Sequence, residues 1–150
     1  SDFTNGIAFF KFRNINRDGS KGKHDGFVDV DFPVFRYADA LLMKAECELR
    51  GATGANGLAA LNAVRARAGL SAATALNEEL ILDERARELA LEGWRRSDLV
   101  RFGKFTSGYN WAWKGGVPEG KETVDAHLAL FPIPESDKNA NPNLDQNDGY

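Results

Sequence analysis

Cysteine, histidine and methionine are nearly absent: one Cys, two His and one Met occur in 150 residues. Cys47 alone can form neither an internal disulfide nor a thiolate-rich zinc site. His24 and His127 each lack a second His or Cys at metal-ligand spacing, so no metal centre is expected. No apolar run reaches the length of a membrane span, and no signal peptide is recognisable. Charge of one sign is missing too. Lys plus Arg is 19 against 22 for Asp plus Glu, a net charge of −3, which gives no footprint for nucleic acid or an anionic membrane. Neither a Gly-rich phosphate loop, a G-x-S-x-G elbow nor an H-E-x-x-H helix occurs. The chain begins at Ser1 without an initiator Met, so a piece of something longer is expected.

Hydrophobic residues at 43% and charged residues at 27% belong to one folded domain. Residues 1–33 read as an irregular to extended N-terminal segment, with a short aromatic strand at Ile7–Arg13 and a Gly-punctuated polar loop at 14–26. Residues 34–150 read as the helical domain. Its first helix, near 34–50, carries an apolar stripe from Val34 and Tyr37 to Leu49 and stops at Gly51. A second, near 57–68, is capped by Asn56 and stops at Gly69. The short connector makes the two an antiparallel hairpin, with Ala38, Ala45, Ala59, Ala60 and Ala63 permitting close approach. A third helix starts at an Asn77 cap and runs to about Leu91. A fourth spans about 94–102. From Gly103 to Pro134 no period persists, and only a turn is expected at Glu135–Lys138. The reading is all-α: tetratricopeptide-like helical hairpins with long irregular loops. Two hairpins are few for a stable stack, so an N-terminal partner is expected to be missing.

Between Ile81 and Gly103 stand five acids and five arginines. Helical spacing pairs Asp83 and Glu84 with Arg87, Glu92 with Arg95 and Arg96, and Asp98 with Arg101. Glu84, Arg85 and Glu92 neighbour Ile81 or Leu89 at spacings of three and four, and Glu88 lies seven from Ile81, which draws them toward the packed side. The set Glu84, Arg85, Glu88, Glu92, Arg95, Asp98 and Arg101 is therefore read as a structural ion-pair lattice. Glu84 and Glu88 as a glycosidase acid/base pair is the competing reading. Flanking arginines oppose it, because they hold carboxyl pKa values down where a general acid needs one raised. No catalytic residue is assigned, and the protein reads as a non-enzyme.

The segments DFPVFRYADALLMKAECELRG, LAALNAVRARAGL, ILDERARELALEGWRRSDLVRFGKF and LFPIPESDKNANPNLDQNDGY, spread over 31–150, together resemble the C-terminal part of the SusD/RagB family. The resemblance implies a mostly helical glycan-binding lipoprotein on the surface of a Bacteroidetes-type outer membrane. Its partners would be an oligosaccharide and a SusC-like TonB-dependent porin, and it would need no cofactor. The lipid-bearing cysteine and much of the sugar site would lie upstream in a several-fold longer protein. Cys47, inside a helical stretch, reads instead as a small buried hydrophobe. Residues 1–30 carry nothing diagnostic.

Sugar binding without chemistry needs flat apolar rings edged by planar polar groups. Tyr109, Asn110, Trp111 and Trp113 supply that mixture, and two residues apart in an extended loop Trp111 and Trp113 would share a face. The bland alternative is a loop pinned down by its tryptophans. Asn14, Asn16, Asp18 and Asp25 echo a calcium loop, but the twelfth position lacks Glu and Arg17, Lys21 and Lys23 intrude, so a solvated turn is favoured. A tetratricopeptide-type protein-interaction module without sugar binding is the alternative function. The 43-residue offset between Val34 and Asn77, against a repeat of about 34, argues against a regular array.

Overall fold

The computed structural model describes residues 11–150, and among them every regular element is helical. The order is α1 (Tyr37–Leu49), α2 (Gly57–Arg67), α3 (Glu78–Glu88), α4 (Arg95–Arg101) and α5 (Glu135–Ala140). Single turns of 3-10 helix at Lys114–Gly116 and Ala126–Ala129 interrupt the long loop. Ile7–Phe10 of the expected strand lie outside the described residues, while Lys11 and Phe12 form a turn.

α1 and α2 pack as the expected hairpin. A Cβ on Gly57 would come within 2.7 Å of both Ala45 Cα and Lys44 O, so only glycine fits at the crossing. Ala45 and Ala60 are buried at this contact, whereas Ala59 and Ala63 face outward. Leu42, Ala45, Leu61, Val64 and Ile81 make the core, so α3 closes the hairpin from one side. The apolar stripe on α1 starts later than its sequence suggests. Val34 and Tyr37 are 63% and 79% exposed, because Pro33 and the turn before Tyr37 hold the chain off the core.

The caps divide. Asn77 accepts from Leu80 N at 2.8 Å, as expected of an N-cap. Asn56 does not cap α2 with its side chain. It sits at φ 51°, and Glu48 of α1 accepts from Gly57 N at 2.6 Å instead. α3 ends at Glu88 rather than near Leu91, which is left-handed at φ 63° and 60% exposed. Cys47 is exposed on α1, correcting its reading as a buried hydrophobe. The expected turn at Glu135–Lys138 is the start of the six-residue α5.

The tail clasps the chain before it. Gln146 donates to Ile133 O at 3.0 Å and accepts from Ile133 N at 2.8 Å. Asn147 donates to Phe131 O at 2.7 Å and the Tyr150 hydroxyl to Leu130 O at 2.9 Å. Leu130–Pro134 is thus held by side chains of the last residues, with Leu130 and Phe131 more than half exposed.

Candidate glycan-binding loop and the charge lattice beneath it

Of the charged residues on α3 and α4, Glu84, Arg85 and Asp98 are buried, whereas Glu78, Glu79, Arg87 and Arg101 are exposed. Arg85 is the largest fully buried side chain. It donates to Asp39 of α1 at 2.8 Å and to Asp98 of α4 at 2.9 Å, so one guanidinium ties three helices. Glu84 receives Arg65 of α2 at 2.7 Å and Arg87 at 3.2 Å. Glu88 and Glu92 both bind Arg36, at 2.9 and 2.8 Å, and Lys11 joins Glu92. Arg101 grips Glu46 of α1 bidentately at 2.8 and 2.9 Å and also reaches Asp98.

Two expected partners are wrong. Glu92 pairs with neither Arg95 nor Arg96, because the helix breaks at Gly93 and the spacing rule loses its register there. Arg95 is no member of the ion-pair lattice. It donates to Leu82 O at 2.8 Å and lies 4.8 Å from the Tyr109 ring centroid. Its Nη2 is buried without a hydrogen-bond partner, a loss of about 1–3 kcal/mol for a dry donor. The residues missed altogether, Arg36, Asp39, Glu46 and Arg65, come from other elements. Asp39 and Glu46 share the face of Leu42 and Ala45, which was the available signal.

The guanidiniums decide the ionisation of Glu46 and Glu92. For Glu46, burial is the largest influence and opposes charge, yet hydrogen bonds from Arg101 and Arg50 outweigh it and hold its pKa below the ordinary value. Glu92 behaves alike: burial opposes its charge, but Arg36 and Lys11 prevail and its pKa stays low. Arg36 and Arg101 are pushed up, chiefly by the hydrogen bonds they donate to Glu92 and Glu46 respectively. A carboxyl so placed is a poor general acid. The competing glycosidase pair, Glu84 and Glu88, is committed to arginines rather than facing an open cleft.

Beside the lattice, the loop after α4 gathers rings. Trp111 lies 5.6 Å from Phe105 and 6.3 Å from Tyr109, centroid to centroid. Lys114 is 2% exposed. It donates to Tyr109 O at 2.5 Å and to Glu122 O at 2.8 Å, and its ammonium sits 4.8 Å from the Trp111 ring. This buried lysine fixes the loop by satisfying main-chain carbonyls. Arg95, Arg96, Leu99, Phe105, Tyr109 and Trp111 line a hollow of about 280 Å³.

The four loop residues singled out in the sequence do not share one face. Trp113 is left-handed at φ 69°, so alternation of an extended strand does not apply, and its ring is 66% exposed while Trp111 is half-buried. Asn110 spends its amide on the loop, donating to Glu119 O at 3.1 Å and accepting from Trp111 N at 2.9 Å. The polar loop near the N-terminus likewise turns its oxygens on itself. Asp18 accepts from Ser20, and Asn14 accepts from Asp29 N and donates to His24 O and Phe27 O. Among the described residues no cluster of three or more His, Cys, Asp or Glu side chains is placed to hold a metal. None of the described helices is long and apolar enough to cross a membrane.

The chain is a scaffold of helical hairpins locked by buried arginine–carboxylate pairs, with an aromatic loop on its flank. The SusD family model matches residues 2–150, and the chain belongs to that family. The match takes in residues 2–30, where the sequence carries nothing diagnostic. Over 152 aligned residues the chain is 43% identical to the starch-binding protein SusD of Bacteroides thetaiotaomicron, covering all of this chain and 27% of the relative. Among solved structures, surface glycan-binding protein A from Bacteroides thetaiotaomicron superposes with a TM-score of 0.68 at 29% identity, over 89% of this chain and 28% of that one. A SusD superfamily protein from Bacteroides vulgatus gives 0.62 at 28% identity, over 88% and 31%. The chain therefore spans roughly a quarter to a third of the length of the relatives it matches.

Proposed function

We propose that this chain is part of a non-enzymatic glycan-binding protein of the cell surface. It serves mainly as scaffold in delivering oligosaccharides to a SusC-like TonB-dependent porin of the outer membrane, with the lipid anchor on another part of the protein. The observation that carries this reading is the 43% identity, over the whole chain, to a relative named for binding starch. The lattice supports the absence of chemistry, since its acids are neutralised by guanidiniums at hydrogen-bond distance. Tyr109, Trp111 and Trp113 are the residues of this chain proposed to meet sugar rings, with Asn110 shaping their loop.

Calorimetric titration of the chain with a panel of neutral and acidic oligosaccharides, with reducing ends assayed in the same samples, tests this directly. Saturable heat with no new reducing ends is expected. Release of reducing ends, or no heat with any sugar, contradicts it.

A further inference from the structure

We infer that the hollow between Arg95, Arg96, Leu99, Phe105, Tyr109 and Trp111 is a subsite for an acidic sugar, whose carboxylate or sulfate is received by the Arg96 guanidinium, with the charge of Arg95 beside it. The inference rests on the glycan-binding reading and deepens it by naming the ligand's charge.

The argument starts from which arginines lack a counter-ion. From Arg36 to Arg101, every other arginine bonds a carboxylate. Arg95 and Arg96 bond none among the described residues, although they occupy the middle of the most acid- and arginine-rich part of the chain. Both are instead held by neutral groups. The Arg96 guanidinium carbon lies 3.8 Å from the Phe131 centroid and 4.8 Å from that of Phe105. Its Nη2 reaches the carbonyls of Leu128 and Ala129 at 3.1 Å each, and its Nε and Nη1 bond no partner among the described residues. A guanidinium fixed by rings and carbonyls loses little freedom when an oxyanion arrives. Arg95 is held likewise by Leu82 O and the Tyr109 ring, and its Nη2 lacks an acceptor.

Two full positive charges without a counter-ion among the described residues thus border a hollow walled by Phe105, Tyr109 and Trp111. A pyranose face stacks on such rings, while an acidic substituent forms charge-assisted bonds that a hydroxyl cannot match. The hollow is of the order of one sugar residue rather than a long chain.

Titration of the full chain with a tetra-uronide, a sulfated disaccharide, maltotetraose and sodium sulfate decides the matter. An acidic sugar is expected to bind at least about tenfold more tightly than maltotetraose. Arg96→Gln should remove that margin, Arg96→Lys should restore only part of it, and Trp111→Ala should weaken the acidic sugar with the melting temperature of each variant followed in parallel. The uronide and the sulfated sugar distinguish the two sources of negative charge, and preference for either supports the inference. Sulfate binding as tightly as either sugar would mean an adventitious ion only and overturn it. Maltotetraose binding as well as the acids, unaffected by Arg96→Gln, would overturn this inference and leave the glycan reading standing. Binding of no sugar at all would overturn both.

Discussion

At the scale of the residue, the inward turn of Glu84 and Arg85 was legible because each lies one helical turn from Ile81. Their partners were not. Spacing rules see only pairs within one helix, and the strong bonds here cross between helices: Arg85 to Asp39, Glu84 to Arg65, Glu92 to Arg36. Asp39→Ala should therefore destabilise the fold by about 2–4 kcal/mol, less than loss of Arg85, because Asp98 still faces the guanidinium. Differential scanning calorimetry measures it, and an unchanged transition would contradict the role given to Asp39. Cys47, exposed on α1, should react with a thiol reagent in the native chain at the rate of a small peptide thiol. Protection until denaturant is added would count against the exposed position.

At the scale of the element, the helices were legible from their apolar stripes and from Gly51, Gly69 and Asn77. The loop was not. Left-handed residues at Trp113, Gly115 and Gly116 break any alternation, and no period in the sequence announces a buried Lys114. α5 escaped notice because it is short and polar, with no buried side chain to impose a stripe. Gly120 closes the aromatic loop at φ 76°, where a Cβ would collide with Trp111 O. Gly120→Ala should lower the tryptophan fluorescence response to glycan at least tenfold in affinity while costing about 1–3 kcal/mol of stability. Unaltered glycan affinity would detach this loop from binding. Gln146→Ala removes both bonds to Ile133, so limited proteolysis should cut near Leu130–Pro134 sooner than in the parent chain. Identical cleavage kinetics would show that the tail is not what holds that segment.

At the scale of the whole molecule, the all-α architecture and family were legible because the charged repeat and the terminal amide-rich motif, which stand out in the sequence, both serve structural ends. The one ties helices together and the other clasps Leu130–Ile133. The same lattice sets the response to acid. Glu46 and Glu92 have folded-state pKa values below the ordinary 4.5, so the unfolded chain binds their protons first as pH falls. Their stabilisation is complete above the unfolded value and is lost as pH drops through the lower folded values. Urea midpoints should be flat from pH 7 to about 5.5 and decline below about pH 4.5. A midpoint that rises on acidification would contradict the pairing.

The most direct test is urea denaturation of Arg85→Ala beside its parent, with glycan titration of both below the transition. A side chain that bridges α1, α3 and α4 from within should cost about 3–5 kcal/mol when removed, since Asp39 and Asp98 are left buried without it, and sugar affinity should hold in whatever fraction stays folded. An unmoved transition together with abolished sugar binding would make Arg85 a ligand contact and break the claim that this lattice exists to hold the helices in place.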